Sequence, residues 1–358
     1  MESDTQVNLP GRLGDPDRLL KTDERTDPRM RAALAVFDLD GAPAPLPVTW
    51  ESPLAEKRST ASEMESGFEG IFDALFQGLP AVEEVSTSTE TVVANDGHSI
   101  PLYIHRPAQA SGPIPCIVHL HGGGMTILAA DGSNYRRWRN ELAAQGMLVV
   151  GVEYRNAAGK LGSHPFPTGL EDCSVALNWV YENRQKLGVS KIVLSGESGG
   201  GNLALAMTLK AKQEGHLNQI AGVYALCPYI SGLYATKHPA LVSLYENDDY
   251  FLGCDMMAVL SSLYDPTGDN ATNPLCWPYF ASGEDLKGLP PHVISVNELD
   301  PLRDEGLAYF RKLLQVGVPV VGRTINGTCH AADTIFRQAM PDVYAATIQD
   351  LSAFTTAL

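Results

Sequence analysis

The chain has 358 residues, 44% of them hydrophobic and 19% charged, with a formal net charge of −16. That length supports a large core, and the lack of excess Lys and Arg to neutralise phosphates argues against nucleic acid or an anionic membrane surface as partner. No run approaches the roughly 20 apolar residues of a membrane span, the start Met1-Glu2-Ser3-Asp4 has neither region of a secretory signal, and the six cysteines are scattered without a C-x-x-C pair. A cytoplasmic protein with buried thiols is the expectation.

Residues 1 to about 30 are polar and interrupted by Pro10, Pro16 and Pro28, which reads as an irregular arm. Apolar residues then recur at helical spacing over 28–39 and 63–77, on either side of a proline-rich connector at 43–53. At Val85 the texture changes: 85–93 and 100–105 alternate as strands around Asn95-Asp96-Gly97, a hairpin signal. Strand patterns follow at 116–120, 147–153, 191–194, 222–227, 292–297 and 318–324, and helical patterns fall between and after them at 135–144, 169–184, 202–213, 304–314 and 331–340. Such alternation predicts an α/β fold, a mostly parallel central sheet of about eight strands with helices on both faces.

Between 227 and 276 about fifty residues interrupt this rhythm, rich in bulky groups such as Tyr250, Phe251, Met256, Leu260 and Tyr264. That is too long for a plain loop, so the segment is expected to fold as helices of its own and to roof the strand ends, where open α/β sheets bind ligands. The division expected is 1–84 as arm and cap helices, 85–227 and 276–358 as the two parts of the core, and 228–275 as a cap insertion.

Residues 190–202 read strand, Gly196-Glu197-Ser198-Gly199-Gly200, helix, the context that a nucleophile elbow requires. A serine on so tight a turn faces a helix amino terminus, whose free N–H groups favour developing negative charge. His121-Gly122-Gly123-Gly124 follows the 116–120 strand directly, so backbone N–H groups can converge unobstructed on an oxyanion, with Gly199 N–H as a further donor. A serine needs a base, and of nine histidines His330 stands after the last strand pattern and before a helix, where the order Ser, Asp, His would place it. The acid belongs between them: Asp300, first after a strand and before Pro301, is favoured over Glu298 and Asp304, and its competing role is a helix N-cap.

Together His121-Gly-Gly-Gly, Tyr154-Arg155, His164-Pro-Phe-Pro with Glu171-Asp172, the Ser198 elbow, Asp300-Pro-Leu-Arg-Asp and His330 resemble the hormone-sensitive lipase family of α/β-hydrolases, a group of carboxylic-ester hydrolases. The resemblance implies the α/β-hydrolase fold with a helical cap, Ser198 as nucleophile, Asp300 as acid and His330 as base. It implies an oxyanion hole of the Gly123, Gly124 and Gly199 N–H groups, with no metal and no cofactor. Two positions depart from the family habit: Gly199 stands where many members have alanine, and Ala331 where glycine usually follows the histidine. The implied partner is a small-molecule ester, the aromatic insertion favouring an apolar or bulky acyl or alcohol part. Lactone, amide or carbamate cleavage on the same triad, and a non-catalytic ligand receptor on the same fold, are the competing readings. Many relatives pair through a sheet edge, so a homodimer is compatible with the resemblance.

Overall fold

The eight strands are β1 (Val85–Val93), β2 (Ser99–Pro107), β3 (Ile114–Leu120), β4 (Leu148–Val152), β5 (Val189–Glu197), β6 (Gly222–Leu226), β7 (His292–Asn297) and β8 (Val320–Ile325). The structure, a computed structural model, describes residues 9–110 and 112–358, so residues 1–8 of the expected arm lie outside it. One sheet forms in the order β1-β2-β4-β3-β5-β6-β7-β8. The hairpin β1–β2 is antiparallel and β2 joins β4 antiparallel; every later pairing is parallel. β4, β6 and β7 are buried along their whole length; β4 and β6 accordingly read as unbroken apolar runs, while β7 also buries His292, Ser295 and Asn297. The helix after β5, Gly199–Gln213, is buried on almost every side, as its small and aliphatic residues allow.

Helix boundaries differ from expectation in four places. The 63–77 pattern is the second half of a longer helix, Leu54–Phe76, whose polar first turns lack apolar periodicity yet bury Lys57, Thr60 and Ala61. The 28–39 pattern stops as a helix at Ala35, and Asp38 then takes a positive φ of 57°. The 331–340 pattern yields only the turn Ala332–Ile335, and the chain then starts an unanticipated helix at Pro341, reaching Ala357. Its buried face (Tyr344, Thr347, Ile348, Leu351, Thr355) does follow helical spacing, with Pro341 at the first position. The 228–275 segment forms helices only at Ser243–Glu246 and Cys254–Tyr264, the rest being turns held by side-chain hydrogen bonds.

The helix Arg303–Gln315 carries one buried carboxyl inward, that of Glu305. It accepts hydrogen bonds from Ile230 N (2.6 Å) and the Tyr234 hydroxyl (2.9 Å) and a further one from the Ser231 hydroxyl, fastening the chain just after β6. Burial pushes this carboxyl up to about 7 from its ordinary 4.5. The folded state therefore holds the proton to higher pH than the unfolded chain does, so the stabilisation is full below about pH 4.5 and is lost as the pH rises through 7. We predict that denaturant titrations of the wild type lose up to about 3 kcal/mol of stability from this group between those limits, and that Glu305→Gln, whose amide oxygen still accepts from Ile230 N and Tyr234 while its NH2 can donate to the Ser231 hydroxyl oxygen, removes that slope. An unchanged pH dependence in the variant would count against this account.

Candidate active site

The functional side chains gather at the carboxyl ends of β3, β5, β7 and β8, on one rim of the sheet. After β5 the chain turns at Ser198 with φ 57° and ψ −117°, a strained conformation for a residue with a side chain. The turn is wedged against β3 so closely that a Cβ on Gly200 would lie 1.9 Å from the Leu120 carbonyl oxygen. Its backbone is clamped to the end of β6: Ser198 N donates to Leu226 O at 2.9 Å, and Tyr229 N donates to Ser198 O at 3.1 Å.

The loop after β3 coils back with positive φ at Gly123 (101°), Gly124 (62°) and Met125 (58°). Among the described residues, the N–H groups of Gly123, Gly124 and Gly199 donate no hydrogen bond. Gly199 packs directly against this loop, since a Cβ there would lie 2.6 Å from Met125 N and 2.7 Å from Gly124 N. The absence of a methyl at 199 thus lets loop and elbow approach more closely than an alanine would.

Glu197 couples the same two segments through its carboxylate. Oε1 accepts from Gly122 N at 2.8 Å, and Oε2 lies 3.0 Å from His119 Nε2, both contacts being buried. The helix Leu54–Phe76 adds a third support, because Glu65 accepts from Leu128 N and Lys160 N, each at 2.7 Å. His121 takes no part as a base. It is stacked on Tyr154 at 4.2 Å, its Nδ1 lies 2.7 Å from Gly122 O, and burial pushes it down to about 3, so its ring is neutral.

Beyond β7 and β8 the structure brings Asp300 and His330 together, Oδ2 lying 2.8 Å from Nδ1. The other Asp300 oxygen accepts from Leu302 N at 2.9 Å, so the residue caps the following turn as well. Of the alternative acids, Glu298 accepts from Gly327 N at 2.7 Å, and Asp304 exchanges hydrogen bonds with Ser243 at 2.8 and 3.0 Å. Both tie loops together and neither is bonded to the imidazole. Ala331, where a glycine was expected, takes the left-handed conformation at φ 55°.

Ser198 and His330 line the same cavity, of about 80 Å³, together with Gly122, Gly123 and Gly124. Phe72, Leu128, Tyr229 and Leu260 complete its largely apolar wall. The Ser198 hydroxyl makes no hydrogen bond among the described residues, the imidazole included, a looseness common before substrate binds. The Cys227 thiol lies beside the pair, with donor atoms of Cys227, Asp300 and His330 all within 4.8 Å of one another. Two of those three residues already engage each other, and burial pushes the thiol well up, so it stays protonated.

A family model for the alpha/beta hydrolase fold matches residues 117–334, more than half the chain, from within β3 to just past His330. The chain belongs to the α/β-hydrolase fold family. Among solved structures it is similar to brefeldin A esterase, a bacterial homologue of human hormone-sensitive lipase, at 48% identity and a TM-score of 0.95, covering 97% of this chain and 98% of that one. Esterase Est22 is similar at 34% identity and a TM-score of 0.84, with 95% and 99% covered. By sequence, the carboxylesterase NlhH of Mycobacterium tuberculosis is 34% identical over 236 residues, 64% of this chain and 70% of that protein. This α/β-hydrolase thus falls among carboxylic-ester hydrolases. No helix among the described residues is long and apolar enough to cross a membrane.

The role of Glu197 was not read from the sequence, where it appeared only as the variable letter of the elbow. The expected consequence is measurable. Glu197→Ala leaves Gly122 N–H without a partner and frees the glycine loop, so kcat for p-nitrophenyl acetate should fall about 10- to 100-fold with KM little changed. Glu197→Gln, which still accepts from Gly122, should retain most of the activity. Equal kcat in wild type and Glu197→Ala would remove the positioning role.

Proposed function

We propose that this chain is a serine carboxylesterase acting on small-molecule esters through an acyl-enzyme. The observation that carries the reading is the Asp300–His330 hydrogen bond beside Ser198 in one cavity, with the Gly123, Gly124 and Gly199 N–H groups unengaged nearby. Ser198 Oγ attacks the ester carbonyl carbon while His330 Nε2 takes its proton; Asp300 holds Nδ1–H and steadies the imidazolium. The carbonyl oxygen, now negative, is received by the three amides, which need no reorganisation at that moment. Collapse breaks the bond to the alcohol, which leaves with the proton held on His330. Water then enters, gives a proton to His330 and attacks the acyl carbon. The acid product departs as Ser198 regains its hydrogen.

The segments 1–84 and 228–275 serve as the cap over a core built from 85–227 and 276–358. Supporting this, the helices Leu54–Phe76 and Cys254–Tyr264 supply Phe68, Phe72, Met256, Met257 and Leu260 to the wall of the cavity. No cofactor enters the scheme.

Two variants test the assignment. Ser198→Ala should lose p-nitrophenyl butyrate turnover and fluorophosphonate labelling while keeping the wild-type circular dichroism. Labelling at the wild-type level would exclude Ser198 as nucleophile and favour a different serine. Asp300→Asn should lower kcat about 10³- to 10⁴-fold, as loss of the orienting carboxylate does in such triads, and activity within tenfold of wild type would transfer the acid's role to another residue.

A further inference from the structure

The cavity at Ser198, about 80 Å³, has room for the reacting groups and a short acyl part. One wall consists of Phe68, Phe251 and Met256, none of them fully buried. Against the same three residues lies a larger, half-open chamber of about 450 Å³, lined also by Leu39, Leu46 and Met64. Two apolar spaces therefore share one partition. Its rings meet edge to face, Phe68 against Phe251 with centroids 6.2 Å apart at 77°, and the third member is an unbranched methionine that changes rotamer easily.

Phe251 reaches this place at a cost in backbone strain. Its φ is 70° and that of Asp249 is 65°, a region that bulky residues rarely occupy. The turn is held by contacts on several sides. Arg12 donates to Asp248 O and to Asp249 Oδ2, each at 3.0 Å, the Tyr250 hydroxyl donates to Asp23 at 3.0 Å, and Cys254 N donates to Asp248 at 2.8 Å. A strained aromatic residue so firmly braced between two cavities is best explained by the wall it forms.

We propose that the outer chamber is a subsite for an unbranched alkyl chain of the ester, which passes between Phe68, Phe251 and Met256 from the catalytic cavity. The proposal rests on the esterase reading and names its substrate class: esters whose longer half is a saturated chain with an uncharged end. The polar groups bordering the chamber include the carboxylates of Asp249 and Asp255, which disfavour a chain ending in a carboxylate. Each methylene buried there should raise the specificity constant about three- to fourfold.

Gly67 offers a clean test, because a side chain at this helical position would meet nothing within 4 Å and would project where the chamber is lined. Specificity constants are measured for p-nitrophenyl decanoate against acetate, and for decyl acetate against ethyl acetate, in wild type and Gly67→Trp. Binding of decanol, which has the chain but no ester bond, is measured by calorimetry in parallel. At least one long-to-short ratio should fall tenfold or more in Gly67→Trp, the acyl series assigning the chain to the acid half and the alkyl series to the alcohol half. Decanol affinity should fall with it, while Met256→Ala, which widens the opening, should raise the same ratio. Unchanged ratios together with unchanged decanol affinity overturn the proposal. Weaker decanol binding in Gly67→Trp, in a wild type that cleaves no ester, would support the chamber and reject the esterase reading on which its use depends.

Discussion

The 2.8 Å contact between Asp300 and His330 joins two loops that neither helix nor strand geometry would hold in register. Much of the polar structure around it does that holding. Leu299 N donates to Thr328 O at 2.9 Å, Glu298 N to Ile325 O at 3.1 Å, and Gly327 N to the Glu298 carboxylate at 2.7 Å, so the pairing of β7 with β8 continues past the strands into the loops. From outside the core, Asp27 N donates to Gly327 O at 2.9 Å and the Met30 sulfur receives Cys329 N at 3.3 Å. These contacts set the imidazole's position.

The same logic explains a costly feature of the chain's first thirty residues. Glu246 is buried, yet it accepts a forked pair of hydrogen bonds from Arg303 at 2.8 and 2.9 Å and another from Arg25. Burial pushes its carboxyl up, but the two guanidinium groups more than reverse this and hold it below the ordinary range. Removing three charged groups from water costs so much that such a cluster adds little net stability, whereas its geometry admits only one relative placement of the parts it joins. Those parts are the arm, the 243–250 segment and the loop bearing Asp300. The cluster thus ties the arm and the 243–250 segment to the loop that carries Asp300, through Arg303, only three residues past Asp300.

What could be read from the sequence divides by the range of the interaction that decides it. The strands were legible from two local patterns: β4 and β6, buried on both faces, appear as continuous apolar runs, and the β1–β2 hairpin alternates around Asn95-Asp96-Gly97. That Ser198, Asp300 and His330 come to one rim of the sheet was legible because each follows a strand, with glycines flanking Ser198 and a proline after Asp300. Asp300 was weighed as acid against cap: one of its oxygens accepts from Leu302 N in the turn and the other meets His330 Nδ1. The final helix went unread although its buried face is regular, since the apolar residues after His330 suggested a helix starting at 331, where left-handed Ala331 allows only a single turn before Pro341. Glu298, Asp304 and Glu197 were named or passed over without their function, because each acts on a backbone group distant in sequence, and no local pattern encodes that.

The chemistry and the selection of substrate therefore rest on different physical supports. Ser198 and the glycine loop are fixed by backbone contacts so close that a single methyl on Gly200 would meet the Leu120 carbonyl at 1.9 Å, leaving those positions almost no tolerance for change. The wall between the two cavities is fixed by side chains: Phe251 in a strained turn, Arg12 and Asp23 bracing it, and Phe68 on a helix whose neighbour Gly67 faces open space. Substitutions there change shape and volume at costs of about 1–3 kcal/mol without moving the sheet. A chain built this way can reshape that wall while Ser198, Asp300 and His330 keep their places, because the wall and these residues share a cavity but few of the contacts that hold them.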